Sequence, residues 1–238
     1  MRIQWPLIAA ATVLSAGTCA LAQQPAPPPE QKDHVAAVKE SLKNSMVTLR
    51  QYEWVETTAV SMKGEEKSRT QNRCVYGAEG KVVKTPLVSA PAGDSKSPRG
   101  VRGKVVANKK EEISDSMKEA IALVKQYVPP DPARLQAAKD AGRVTLNPPD
   151  AQGNMTMVVK DYLKTGDSLT IALNAATDRL GGIKVATFTD KAKDAVHLNV
   201  TMGAFPDGTV YAGTIGLEVK AQNMTVAIDN SGYQKVRS

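Results

Sequence analysis

Apolar residues first recur at helical spacing in the segment that begins at Lys32. They fall three or four residues apart and share one predicted helix face, and they are Val35, Val38, Leu42, Met46 and Leu49. Asp33 precedes the first of them in a position that suits a capping residue. The pattern predicts an amphipathic helix that buries this stripe against another layer of the protein.

After Gln51 the pattern changes to the alternation that is typical of β-strands. Three segments rich in β-branched and aromatic residues are separated by glycine-containing turns, and they cover residues 52–62, 66–76 and 81–85. By the two-residue period, one face of the first segment carries Tyr52, Trp54, Thr58, Val60 and Met62. The sequence therefore predicts a three-stranded meander.

Two helices are expected to interrupt the strands. Residues 86–103 are rich in proline, glycine and serine, and we expect a mobile loop there. A second helix is predicted to begin near Lys110 or Glu111 and to end before Pro129. A third, short helix follows Asp131, a capping residue followed directly by proline, and stops at Gly142.

The remaining pattern is a succession of strands joined by turn residues. Seven are expected, at 143–146, 155–162, 168–173, 183–189, 196–202, 209–219 and 224–228. A final turn is predicted at 230–232, where the sequence reads Asn-Ser-Gly. The predicted fold class is α+β: a large curved antiparallel sheet, open like a half-barrel, with about three amphipathic helices covering one face.

This order of elements resembles that of the LolA/RseB-type open-barrel carriers of the bacterial periplasm. The amino-acid sequence of residues 52–81 also resembles that of exported bacterial proteins that carry no assigned activity. The resemblance to the carriers implies a cavity between sheet and helices that takes up acyl chains. If such a cavity exists here, we expect its lining to be Trp54, Val60, Met62, Ile113, Met117 and Ile121.

Residues 1–22 have the parts of a secretory signal peptide. A basic start is followed by an apolar stretch, and Ala20 and Ala22 provide small residues for signal peptidase. We expect export with cleavage after Ala22, which leaves 238 − 22 = 216 residues. Lipidation at Cys19 is the alternative, although Thr18 fits a lipobox poorly. Residues 23–31 are expected to form a proline-rich tether, and residues 32–238 a single domain.

The net charge points to a local basic segment. The chain has 31 Lys+Arg and 24 Asp+Glu, so its net charge is +7, and six basic residues without an acidic one lie between positions 95 and 110: Lys96, Arg99, Arg102, Lys104, Lys109 and Lys110. No aromatic residue accompanies them, which argues against nucleic acid as a partner. An anionic envelope component or lipid headgroup fits better, with peripheral membrane contact at most. A solvated loop without a partner is the alternative.

No motif in the sequence fixes a reaction. Two His and two Cys provide little material for a metal site, and we expect no cofactor, no metal and no catalytic residue. Cys74 is expected to be a small buried residue on a strand. The leading hypothesis is a non-enzymatic exported envelope protein that binds a lipid or other apolar ligand. Alternatives are a structural or protein-interaction module with a filled core, and a hydrolase with a scattered site around His197.

Overall fold

The computed structural model describes residues 34–88, 101–190 and 194–236, all of which belong to the unit Asp33–Ser238. Within these ranges it contains three α-helices, namely α1 (His34–Leu49), α2 (Val101–Val124) and α3 (Pro132–Asp140). The ten strands are β1 (Tyr52–Met62), β2 (Glu65–Tyr76), β3 (Val82–Val88), β4 (Val144–Asn147), β5 (Asn154–Lys160), β6 (Ser168–Asn174), β7 (Arg179–Phe188), β8 (Ala195–Ala204), β9 (Val210–Val219) and β10 (Met224–Lys235).

All ten described strands form one antiparallel sheet in the order β3-β2-β1-β10-β9-β8-β7-β6-β5-β4. The first strand, β1, pairs with the last, β10, and this pairing joins the N-terminal meander to the C-terminal one. Strands β3 and β4 lie at opposite edges, so the sheet is open. The predicted α+β class, with ten strands and three helices, is confirmed.

The strand register aligns apolar side chains in a continuous row across the sheet. Directly paired residues on eight consecutive strands make up this row, and they are Val144, Val159, Leu169, Val185, Leu198, Leu217, Val226 and Val60. Successive side chains on a strand point to opposite faces, so neighbours such as Lys184 and Asn199 lie on the other side. We call the face that carries the apolar row the inner face and the opposite one the outer face.

All three helices pack on the inner face. Ala120 and Val124 of α2 and Ala138 of α3 are buried in the same hydrophobic cluster as the inner-face strand residues. Leu42 of α1 packs against this cluster, and α1 also contacts β7 and β9. The helices therefore cover one side of the sheet, as the sequence predicts.

A buried hydrogen-bond network fixes the segment between α2 and α3. The Tyr127 hydroxyl donates to Asp167 Oδ2 at 2.5 Å and lies 2.7 Å from Thr187 Oγ1. The Asp167 carboxylate also accepts the backbone N–H groups of Tyr162, at 2.6 Å, and of the two residues after it. Because a carboxylate can accept several hydrogen bonds at once, Asp167 satisfies the turn between β5 and β6 while it anchors Tyr127.

The third helix begins as the sequence predicts. Asp131 has an extended backbone, and its side chain accepts the N–H of Ala133 at 2.8 Å. Pro132 occupies the first helical position, where its missing N–H has no partner to lose. Gly142, at φ +67°, follows the end of the helix.

The second helix begins earlier than predicted. It starts at Val101, nine residues before Lys110, and residues 86–88 belong to β3, so the expected loop at 86–103 is wrong at both ends. The rest of that loop, 89–100, lies outside the described residues. Valine and glycine are weak helix formers, and their frequency at 101–106 hides the helix from a propensity argument.

The predicted turn at 230–232 is also wrong, because these residues continue β10. The pairing of β1 with β10 shifts between Glu53 and Val55, and the extra β10 residue forms a bulge. Gly232 takes a positive φ of +63° there, which explains why the local sequence resembles a turn.

The buried stripe of α1 differs by one position from the prediction. Ser45 and Leu49 are buried, whereas Met46 is 59% exposed. The Ser45 hydroxyl accepts the backbone N–H of Val210 at 3.0 Å and donates to the Ser41 carbonyl. This hydrogen bond to the first residue of β9 turns a polar side chain of α1 toward the sheet.

Candidate functional site

Burial of the apolar row decreases from Val159 on β5 to Val60 on β1, and Val144 at the β4 edge is partly buried as well. Val159 and Leu169 are 0% exposed and Val185 is 2% exposed, so the inner face is fully covered at these three positions. At the other end of the row, Val226 and Val60 are only partly buried. The neighbouring inner-face residues Met62 and Ile228 are partly buried as well. We call Val60, Met62, Val226 and Ile228 the open strip.

Helix α2 passes over the Met62 end of the open strip. Gln222 Nε2 donates to Ser116 Oγ at 3.3 Å, which ties the middle of α2 to the turn before β10. Met224, two residues further on, is paired with Met62. Ile113 and Met117, four residues apart on α2, pack against the hydrophobic cluster and remain partly buried. Apolar side chains from helix and sheet thus pack against the same hydrophobic cluster.

Four of the six predicted lining residues pack against the hydrophobic cluster. Val60 and Met62 come from the sheet, and Ile113 and Met117 come from α2. Trp54 is buried elsewhere, among aromatic side chains, and Ile121 is 37% exposed on α2. That these six residues line a ligand site stays a prediction.

A charged pair lies on the inner face beyond the open strip. Glu56 of β1 is 8% exposed and accepts two hydrogen bonds from Lys84 of β3, at 2.6 and 2.7 Å. The Thr58 hydroxyl donates to the same carboxylate at 3.4 Å. Two residues before Glu56, Trp54 donates through Nε1 to Asn230 Oδ1 at 3.0 Å. This charged pair therefore separates the open strip from the aromatic end of the sheet.

Six aromatic side chains pack together at that end. Trp54 lies between Tyr76, with ring centroids 5.3 Å apart, and Tyr233, at 5.6 Å and nearly parallel. Tyr233 also contacts Tyr211, at 4.4 Å, and Phe205. Tyr52 completes the group through Phe205, at 4.9 Å. We call these six residues the aromatic cluster. The alternation along β1 predicts that Tyr52 and Trp54 share one face, but no sequence pattern indicates the other four members.

Two open clefts lie elsewhere on the molecule. One, of about 610 Å³, lies between α1 and two turns of the sheet, and its lining includes Glu40, Asn44, Arg179 and Asp207. The other, of about 200 Å³, lies beside α2 and includes Lys164. Neither contains a residue of the open strip.

The histidine singled out by the sequence lies on the outer face. His197 Nδ1 is 3.5 Å from Glu218 Oε2 on the neighbouring strand, and Lys220 also binds this carboxylate. The hydrogen bond from the Lys220 ammonium lowers the pKa of Glu218. His197 belongs to neither cleft. Among the described residues no group of three His, Cys, Asp or Glu side chains is placed to hold a metal ion.

The predicted basic segment is described only in part. Lys96 and Arg99 lie outside the described residues, whereas Arg102, Lys104, Lys109 and Lys110 belong to the first ten residues of α2, where only the backbone is described. An anionic partner for this segment therefore stays a prediction. No described helix has the length and apolar character needed to cross a membrane.

Known proteins similar to this chain are found among solved structures. No family model and no curated protein matches the sequence. Similar solved structures include a LolA superfamily protein from Nitrosomonas europaea, with 11% identity and a TM-score of 0.36 over 84% of this chain and 94% of that one. A putative outer membrane lipoprotein-sorting protein domain from Vibrio parahaemolyticus has 9% identity and a TM-score of 0.40, over 84% and 91%.

A DUF1329 family protein from Desulfovibrio piger is also similar, with 8% identity and a TM-score of 0.34 over 84% of this chain and 92% of that one. The similar structures include LolA-type proteins, the group that the order of elements resembles. At these TM-scores the neighbours carry no conclusion about a ligand, a partner or an activity.

Proposed function

We propose that this chain is a non-enzymatic exported envelope protein that binds an apolar ligand, such as a lipid acyl chain, on the open strip beneath α2. The observation that supports this proposal is the decrease in burial along one continuous apolar row, from Val159 to Val60. Apolar side chains that the fold aligns but does not fully cover are a suitable surface for an apolar ligand.

The energetics of such binding come from the area that the ligand removes from water. Each methylene group that becomes buried contributes about 0.8 kcal/mol. Met62 of the open strip and Met117 of α2 are unbranched and adapt to ligands of different shape. A preference for acyl chains over compact polar molecules follows from this lining.

Displacement of a fluorescent fatty acid tests the proposal. The full-length protein is titrated with 11-dansylaminoundecanoic acid, which is then displaced with palmitate. Met62→Gln and Met117→Gln each place an amide in the apolar lining, and we expect each to weaken palmitate binding about tenfold. Met157→Gln is the matched control, because Met157 is also partly buried but lies on β5, far across the sheet from β1.

Two results would overturn the apolar-ligand proposal. One is the absence of saturable binding of the probe, and the other is equal weakening by Met157→Gln and Met62→Gln. Either would favour the second candidate, a structural or protein-interaction module. That candidate is supported by the fully buried part of the apolar row at Val159, Leu169 and Val185, where no room is left for a ligand. The surroundings of His197 provide no observation that favours a hydrolase.

The compartment and the domain boundaries form part of the same proposal. Export would remove residues 1–22 and leave the tether 23–31 ahead of the domain 32–238, whose basic segment would meet an anionic envelope component. Intact-mass analysis of the protein recovered from the producing cell tests this. A chain that begins at Gln23 is the expected result, a lipid-modified Cys19 would establish the alternative, and a retained Met1 would contradict export.

A further inference from the structure

The aromatic cluster concentrates a residue type that is scarce in this protein. Aromatic residues number ten in the whole chain, and six of them are in contact at one end of the sheet. Five of the six remain partly exposed, whereas Trp54 is buried beneath them. A hydrophobic core would bury these rings fully, so the cluster presents a ring surface to solvent.

The tyrosine hydroxyls of the cluster have no protein partner among the described residues. The described hydrogen bonds include none from the hydroxyls of Tyr52, Tyr76, Tyr211 or Tyr233, whereas those of Tyr127 and Tyr162 are both bonded. No described side chain leaves a buried polar atom unsatisfied, so the four free hydroxyls reach water. The cluster therefore combines apolar ring faces with unused hydrogen-bonding groups.

Three of these tyrosines belong to one continuous run of contacting rings. Tyr211 and Tyr233 have ring centroids 4.4 Å apart, and Tyr76 and Tyr233 lie on opposite sides of Trp54. Burial raises the pKa of Tyr233, and the neighbouring Tyr76 and Tyr211 raise it further. The hydroxyls thus stay protonated at neutral pH, and each is available both as a donor and as an acceptor.

From this arrangement we infer that the aromatic cluster is a saccharide-binding platform. A sugar ring has apolar C–H faces, which pack on aromatic rings, and hydroxyl groups at its edge, which need donors and acceptors. The partly exposed rings at the margin of the cluster provide the first kind of contact, and the free hydroxyls provide the second. A simple acyl chain would leave the hydroxyls unpaired and so fits this surface less well.

This platform is distinct from the open strip. The charged pair of Glu56 and Lys84 lies between the two on the inner face, so one can bind a ligand without the other. The inference consequently does not depend on the proposed binding of an apolar ligand. The sugar could be free or the headgroup of a glycolipid, and the experiment separates these two sources.

Tryptophan fluorescence provides the test. The full-length protein is prepared with Trp5→Phe, which leaves Trp54 as the sole tryptophan. Maltose, lactose and N,N′-diacetylchitobiose are titrated at millimolar concentrations, and at least one of them is expected to shift the Trp54 emission saturably. Tyr233→Phe and Tyr76→Phe retain the rings but remove one hydroxyl each, and we expect affinity to fall about threefold to tenfold. Tyr162→Phe, outside the cluster, should leave it unchanged.

A matched pair of detergents identifies the source of the sugar. Dodecyl maltoside and octaethylene glycol dodecyl ether share the same alkyl chain, and only the first carries a sugar. Tighter binding of dodecyl maltoside than of maltose indicates a glycolipid, and equal binding indicates a free saccharide. The inference is overturned if none of the three disaccharides changes the emission, or if Tyr233→Phe, with unaltered melting temperature, binds as the parent does. Palmitate displacement, measured in parallel, tests the proposed binding of an apolar ligand to the open strip separately.

Discussion

Lys84 on the edge strand β3 reaches across β2 and binds both carboxylate oxygens of Glu56 on β1, at 2.6 and 2.7 Å. Cys74 on β2 pairs with Lys84 on one side and, on the other, with Trp54, two residues before Glu56. Cys74 is fully buried although it lies only one strand from the sheet edge. The ion pair and the aliphatic stem of Lys84 therefore cover the thiol, as long side chains do at sheet surfaces.

Truncation of this cover should expose the thiol. In a Cys19→Ser background, where Cys74 is the sole cysteine, we expect Lys84→Ala to increase the rate of reaction with a thiol reagent such as DTNB severalfold. Burial raises the pKa of Cys74, while the Lys84 charge lowers it. Loss of that charge alone would slow the reaction, so a faster reaction reports access rather than ionisation.

Lys81→Ala is the control for the thiol measurement. Lys81 precedes β3 and pairs with Glu79 in an exposed position. Its truncation should leave the reaction rate of Cys74 unchanged. An equal or slower rate in Lys84→Ala would show that other groups cover the thiol.

The Tyr127–Asp167 network predicts a large stability effect from a small change. Asp167→Asn replaces a carboxylate oxygen that accepts N–H and O–H donors with an amide that repels them. We expect the free energy of unfolding to fall by about 3 kcal/mol, and by about 2 kcal/mol for Tyr127→Phe. Urea denaturation measures both, and Asp140→Asn, an exposed position on α3, should change it by about 0.5 kcal/mol at most. Equal effects at the two aspartates would contradict the role of the network.

Much of the fold could be predicted because alternation and helix caps are local signals. The bounds of β1 and the start of α3 after Asp131 agree with the sequence analysis, since strand pattern and capping depend on adjacent residues. The start of α2 could not be predicted, because tertiary packing overrides weak helix propensity. The bulge at Gly232 could not be predicted either, because a bulge uses the same residues as a turn.

The candidate sites depend on register, which the sequence does not display. The alternation along β1 places Val60 and Met62 on one face, as observed. Their partial burial, however, depends on which strand pairs with β1. The aromatic cluster unites Tyr76 with Tyr211 and Tyr233, which are more than a hundred positions later. Only the pairing of the first strand with the last brings these residues together, and no local sequence pattern predicts that pairing.

Stability should decrease at alkaline pH through two tyrosines. Burial raises the pKa of Tyr127, and a hydrogen bond to Asp167 adds to this, while burial also raises the pKa of Tyr233. Their folded-state pKa values exceed those of the unfolded chain, so their contribution is complete below about pH 10 and is lost as the pH rises further. The free energy of unfolding should fall by up to about 1.4 kcal/mol per pH unit for each tyrosine.

Urea denaturation at several values between about pH 9 and pH 11 measures this slope. Tyr127→Phe removes one of the two groups. The free energy of unfolding of this variant should therefore fall less steeply with pH, by the contribution of about one proton. Identical slopes in the variant and in the parent would show that Tyr127 does not contribute to the alkaline loss of stability.

Two adjacent glycines on β7 should respond very differently to the same substitution. A Cβ atom at Gly182 would lie 2.6 Å from the backbone oxygen of Val200 on β8, which cannot move without disturbing the sheet. At Gly181 the nearest atom, the Ala172 oxygen, is 3.6 Å away, an ordinary contact distance. We expect Gly182→Ala to lower the free energy of unfolding by about 2–3 kcal/mol and Gly181→Ala to change it by about 0.5 kcal/mol at most. Thermal and urea denaturation of the two variants measure the difference. Equal stability would mean that β7 and β8 are farther apart at Gly182 than this register places them.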